Sequence, residues 1–163
     1  MDAFFLAHLR DLYREPDTIV KVDHGRGGSS KTVALAAIKA ASLADYSAVL
    51  ILLDSDRNEE DVPTAWRKQN NLIVKRSNPC LESLLLEILG DDKWSTLRNG
   101  AQASGRCKSR FQSEYLKTDR STEAAARFRA FIHARMTREA LDEAAARIPV
   151  LDEIIHAIRT GMG

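Results

Sequence analysis

The stretch that most restricts the fold is "LILLDSDRNEED", residues 50 to 61. It opens as an unbroken apolar run and closes as a crowd of acidic and amide side chains. A run with no polar alternation belongs to a strand covered on both faces, as in parallel sheets held between helix layers. Asp54 and Asp56 then stand at the carboxyl end of that strand, where sheets of this kind gather their chemistry.

The flanking sequence supplies the other layers. "AFFLAHLRDLY" repeats apolar residues at helical spacing and is stopped by Pro16. "DTIVKVDHG" reads as a strand ended by Gly25, "GRGGSS" as a loop, and Lys31 to about Ala44 as an alanine-rich helix with Ser29 or Ser30 as its cap. Pro63 suits the first turn of a helix running to about Gln69, and "NLIVKRS" is a third strand. "NPCLESLLLEILG" is a helix with Pro79 near its start and Gly90 past its end. Strand and helix alternating in this order imply right-handed crossovers and a mostly parallel sheet flanked by helices.

After residue 91 the pattern changes. From Lys93 to Arg120 the chain has no sustained period and carries a net charge of +5, against −4 for the remainder and +1 overall. Beyond it, Ala124, Phe128, Ile132 and Met136 form a helical stripe that Leu141, Ile148, Leu151, Ile155 and Ile158 continue, with Pro149 expected to kink or divide it. We expect one domain: an α/β core over residues 1–90, with residues 91–163 as a basic segment and helical extension packed on it or on a second copy.

Cys80 and Cys107 form neither a CxxC pair nor a stapled scaffold, which points to a reducing, cytoplasmic setting. No apolar run reaches the roughly 20 residues of a membrane span, and His24, His133 and His156 have no zinc-ligand spacing.

Three features carry chemistry. Two carboxylates one residue apart at a turning strand end suit Mg²⁺ or Mn²⁺, which take hard oxygen ligands and complete their shell with water and phosphate. The same residues suit turn and helix-cap positions. "GRGGSSKT", residues 25–32, follows a strand and opens a helix as a phosphate-binding loop does, with Lys31 as its cation, but Ser30 stands where that pattern needs glycine. Arg106, Lys108 and Arg110 alternate in "GRCKSRF", a spacing suited to nucleic-acid phosphates or to a solvated surface.

The pairing of "YSAVLILLDSDRN" with "KRSNPCLESLLLEIL" resembles the RloB-like branch of the TOPRIM superfamily, related to OLD-type nucleases. Asp54 and Asp56 match its DxD metal motif; Asn78, Pro79, Cys80 and Glu82 match its Asn-Pro-Cys-x-Glu segment. The resemblance covers roughly residues 1 to 90. It implies a TOPRIM-like (Rossmannoid) α/β fold and Mg²⁺-dependent cleavage of nucleic-acid phosphodiesters, in a setting of phage or mobile-element defence. Family members carry a glutamate on a strand ahead of the first helix, and this chain opens at that helix. Three outcomes are open: a start lost from this sequence, another acid such as Glu82 in that role, or a fold kept without the reaction. The expected site is therefore Asp54, Asp56 and Glu82, with Lys31, Arg106, Lys108 and Arg110 guiding nucleic acid. A non-catalytic interaction module acting through the C-terminal helices and a nucleotide-binding protein acting through residues 25–32 are the alternatives.

Overall fold

The computed structural model describes residues 2–23, 29–44, 46, 48–55, 62–118 and 121–161. The apolar run becomes strand β1 (Val49–Asp54), and "LIVKRS" becomes β2 (Leu72–Ser77). They pair in parallel, from Val49 opposite Leu72 to Asp54 opposite Ser77. Because successive side chains of a strand point to opposite faces, β1 divides the interior in two. Leu50 and Leu52 pack on the main core; Val49, Ile51 and Leu53 pack on a smaller one with Ala34, Val62, Leu72 and Val74. The continuous run is thus used on both faces.

Helix α1 (Asp2–Tyr13) turns Phe5, Leu9 and Tyr13 inward. Helix α2 (Ser30–Ala44) starts at a Ser29 cap, whose Oγ accepts the Thr32 N–H at 3.2 Å. Helix α3 (Thr64–Gln69) lies in the crossover that a parallel pair requires. Helix α4 (Leu81–Ile88) buries seven of its eight residues, Glu82 and Ser83 among them. Gly90, at φ +66°, takes the left-handed conformation just past its end.

The basic segment folds into α5 (Trp94–Leu97), α6 (Ala103–Phe111) and a π-helical turn (Gln112–Leu116). Helices α7 (Ser121–Arg135), α8 (Arg138–Ala145) and α9 (Pro149–Thr160) follow. Phe128, Ile132, Met136, Leu141, Leu151 and Ile155 join Phe5, Leu9 and the leucines of α4 in one core. The C-terminal stripe is therefore spent inside the chain. Pro149 divides the stripe as expected, by starting α9, and a second division at Thr137, whose Oγ1 accepts the Ala140 N–H, went unread in the sequence.

The sheet departs from expectation. "DTIVKVDHG" was expected as a strand; its described part, residues 17–23, alternates between exposed and half-buried yet joins no ladder. Among the described residues the sheet has two strands. The protein is mixed α/β with helices predominating, and no helix among those residues is long and apolar enough to cross a membrane.

Candidate functional site

At the carboxyl end of the pair, β1 delivers Asp54 directly opposite Ser77 of β2. Ser77 donates its hydroxyl to Asp54 Oδ1 at 2.9 Å, and the same oxygen accepts the Leu81 N–H at 2.9 Å. Leu81 opens α4, and the residue before it, Cys80, makes no side-chain cap. A helix start leaves backbone N–H groups without intrahelical partners. Asp54 supplies one acceptor from a neighbouring element and sets a negative charge at the positive end of the helix.

Residues 78–80 join strand to helix through a cis Asn78–Pro79 bond. Ser55 is tied to this turn by its N–H to the Ser77 and Pro79 carbonyls and by its hydroxyl to Asn78 Oδ1 at 3.2 Å. Ser83 Oγ donates to the Asn78 carbonyl and accepts the Trp94 indole N–H. Strand end and helix start are therefore one rigid unit.

Glu82 occupies the first turn of α4, 4% exposed. Burial pushes its carboxyl above the ordinary 4.5, and the Asp54 charge adds to that; the helix backbone, the Cys80 thiol and the Lys108 ammonium pull the other way. Cys80 is itself pushed up to about 12, chiefly by burial. A thiol held protonated in this way is no nucleophile, as expected for a buried small apolar residue.

Asp54 and Glu82 thus come together at the strand mouth with Asn78, Ser55 and Lys108 around them. Lys108, half-buried on α6, is close enough to act on Glu82 through its charge. Arg106 and Arg110 have other employment. Arg106 donates to the carbonyls of Leu97 at 3.2 Å, Ala101 at 2.6 Å and Asn99, clamping the loop ahead of α6. Arg110 donates to Asp91 Oδ2 at 3.1 Å and pairs with Asp92 and Glu114. Lys31 is half-buried in the first turn of α2. Asp56 and the glycines at 25, 27 and 28 lie outside the described residues.

Asp91 was missed in the sequence. Its side chain is 1% exposed. It accepts from Tyr115 Oη at 2.7 Å, Arg110 Nε at 3.1 Å and the Lys93 N–H at 2.9 Å, tying the end of α4 to α6 and the π-helical turn. Burial raises its carboxyl, but those three bonds outweigh burial and hold it below the ordinary 3.8. Being fully engaged, it is structural.

The oxygen-only donors at the strand mouth suit a hard divalent cation, which commonly takes one or two carboxylates and fills its shell with water and phosphate. Among the described residues no three His, Cys, Asp or Glu side chains cluster as a metal group. Among the described residues, the carboxylates that could hold a cation there are Asp54 and Glu82, assisted by neutral oxygens. Comparison with protein-family models, with curated proteins and with solved structures found no match.

Proposed function

We propose that this chain is a TOPRIM-type, RloB-like protein that handles nucleic-acid phosphodiesters with Mg²⁺ or Mn²⁺. The observation that carries the reading is the meeting of Asp54 with Glu82, two acids from separate sequence motifs, at the carboxyl end of a parallel strand pair. Asp54, half-buried, is the more accessible acid; Glu82, buried, is the second. A divalent cation between carboxylate and phosphate would supply charge stabilisation and lower the pKa of attacking water. Asp54 would hold it, with Asp56 as the second ligand of the motif. Lys108, whose charge acts on Glu82, would stand at the phosphate, while Arg106 and Arg110 also hold the chain's own carbonyls and carboxylates.

One observation favours a second reading, the non-catalytic interaction module. Asp54 already serves as the cap of α4, a purpose that explains its presence without metal.

Calorimetric titration of Mn²⁺ into the wild type and Asp54→Asn, alongside cleavage of labelled single- and double-stranded DNA and RNA, separates the two. We expect wild-type binding and metal-dependent cleavage, both lost in Asp54→Asn. Equal heats in the two proteins and no cleavage would overturn the nuclease reading and leave the module.

A further inference from the structure

Helices α1 and α7 lie side by side and in step. Arg129 of α7 sets its guanidinium 3.9 Å from the centroid of the Phe4 ring on α1. One turn further along both helices the rings of His8 and His133 meet, with centroids 5.1 Å apart and planes at 85°. No ligand spacing in the sequence announces this pair, because its members come from the two ends of the chain.

The hydrogen bond of His8 fixes its tautomer. A carbonyl oxygen carries no proton, so His8 Nε2 donates to the Met136 carbonyl at 2.7 Å, and Nδ1 of the neutral ring keeps its lone pair. That carbonyl lies just past α7, where helix carbonyls lack intrahelical partners, so the bond also holds the ring in place. Nδ1 has no hydrogen-bond partner among the described residues, and none of their side-chain nitrogens or oxygens is both buried and unpartnered. It therefore opens to solvent, although His8 as a whole is only 9% exposed. His133 is exposed, and its ring nitrogens have no hydrogen-bond partner among those residues either.

We propose that His8, through Nδ1, and His133 together hold a divalent transition ion of the Zn²⁺ class. Imidazole nitrogens suit Zn²⁺, Ni²⁺ and Cu²⁺, whereas Mg²⁺ takes oxygen. A tetrahedral ion with Zn–N bonds of about 2.0–2.1 Å sets each ring centroid about 3.2 Å away and the two centroids about 5.2 Å apart. The observed 5.1 Å meets that requirement without movement of either helix. Turning the exposed His133 ring about χ2, a broad torsion, brings a nitrogen to the ion. A ligating histidine ordinarily donates its other N–H to a carbonyl or carboxylate, as His8 does to Met136. Among the described residues no third His, Cys, Asp or Glu joins the pair, so water completes the shell and the ion is exchangeable. Arg129, one turn back, keeps its charge over the Phe4 ring. Once bound, the ion ties α1 to α7 and stabilises the fold by mass action. The inference stands apart from the phosphodiester reading, whose acids Asp54 and Glu82 belong to β1 and α4.

The test titrates Zn²⁺ into the full chain by calorimetry in excess Mg²⁺, which competes for carboxylates and not for imidazoles. We expect saturable binding, a higher Tm, and shifts of the His8 and His133 ring protons while those of His156 stay put. His133→Ala, at an exposed position, should leave circular dichroism unchanged and weaken Zn²⁺ binding at least about tenfold. His8→Gln keeps an N–H for the Met136 carbonyl but lacks Nδ1, and should weaken binding equally. Asp54→Asn should bind Zn²⁺ as the wild type does. Absence of saturable binding, undiminished affinity in either histidine variant, or ring shifts confined to other residues would overturn the inference. So would loss of Zn²⁺ binding in Asp54→Asn, since the ion would then belong to the strand mouth.

Discussion

Replacing Asp54 by alanine is the obvious way to test a metal site, and the geometry predicts that it will mislead. Asp54 Oδ1 accepts both the Ser77 hydroxyl and the Leu81 N–H at 2.9 Å. Alanine deletes a helix cap, which costs about 0.5–2 kcal/mol, and a part-buried hydrogen bond worth about 0.5–1.5 kcal/mol. We expect a total near 2 kcal/mol, with Tm lower by about 4–8 °C for a chain of this size. Asparagine keeps an acceptor at the Oδ1 position, so Asp54→Asn should lose less than about 1 kcal/mol while giving up the charge a cation needs. Differential scanning calorimetry in EDTA measures both without metal. Alanine and asparagine variants of equal stability would refute the capping argument.

The remaining predictions follow the same bonds. Asp91→Ala strands the Tyr115 hydroxyl and the Lys93 N–H and should cost about 2–4 kcal/mol in urea unfolding. Since its carboxyl is held low, the stabilisation from Asp91 is complete above the ordinary 3.8 and is lost as pH falls through its lower folded value; the gap between wild type and Asp91→Ala should close in acid. Glu82 has the opposite sign. Its contribution is complete below 4.5 and is lost as pH rises through its raised folded value, so Glu82→Gln should match the wild type in acid and become the more stable protein towards neutral pH in EDTA. Arg106→Ala should speed hydrogen exchange in residues 97–103 and leave any nucleic-acid affinity within about twofold, because its guanidinium holds carbonyls, not phosphates.

What was legible in the sequence was local. The run at 49–54, the strand at 72–77, the Ser29 cap and the Pro79-to-Gly90 helix each declare themselves through periodicity or a terminal residue, and each stands where it was read. What failed to show was pairing at long range. "TIVKVD" has the composition and alternation of a strand, but a strand exists only by its neighbours, and nothing in those six residues says whether a ladder partner lies beside them. Arg106 and Arg110 read, with Lys108, as phosphate-guiding because the sequence does not show their carbonyl and carboxylate partners, which lie 4 to 19 residues away in the chain. Asp91, where the helical pattern of 81–88 has run out, finds its partners in Arg110 and Tyr115, 19 and 24 residues on.

The two acids at the strand mouth carry a conflict that bears on function. Asp54 is set where a carboxylate is favoured, at a helix N-terminus with two donors on one oxygen. Glu82 is set where burial disfavours a carboxylate and the Asp54 charge adds to that, with the helix backbone, the Cys80 thiol and the half-buried Lys108 as partial counterweights. A leucine or glutamine at position 82 would pack into α4 without that penalty, as the neighbouring residues 81 and 84–86 do. A buried acid that works against the stability of its own helix is the pattern by which binding sites depart from the rest of a fold. A cation between the two carboxylates removes the conflict, since it favours the ionised form of both. Metal should therefore raise Tm in the wild type more at pH 8 than at pH 5, and the difference should vanish in Glu82→Gln.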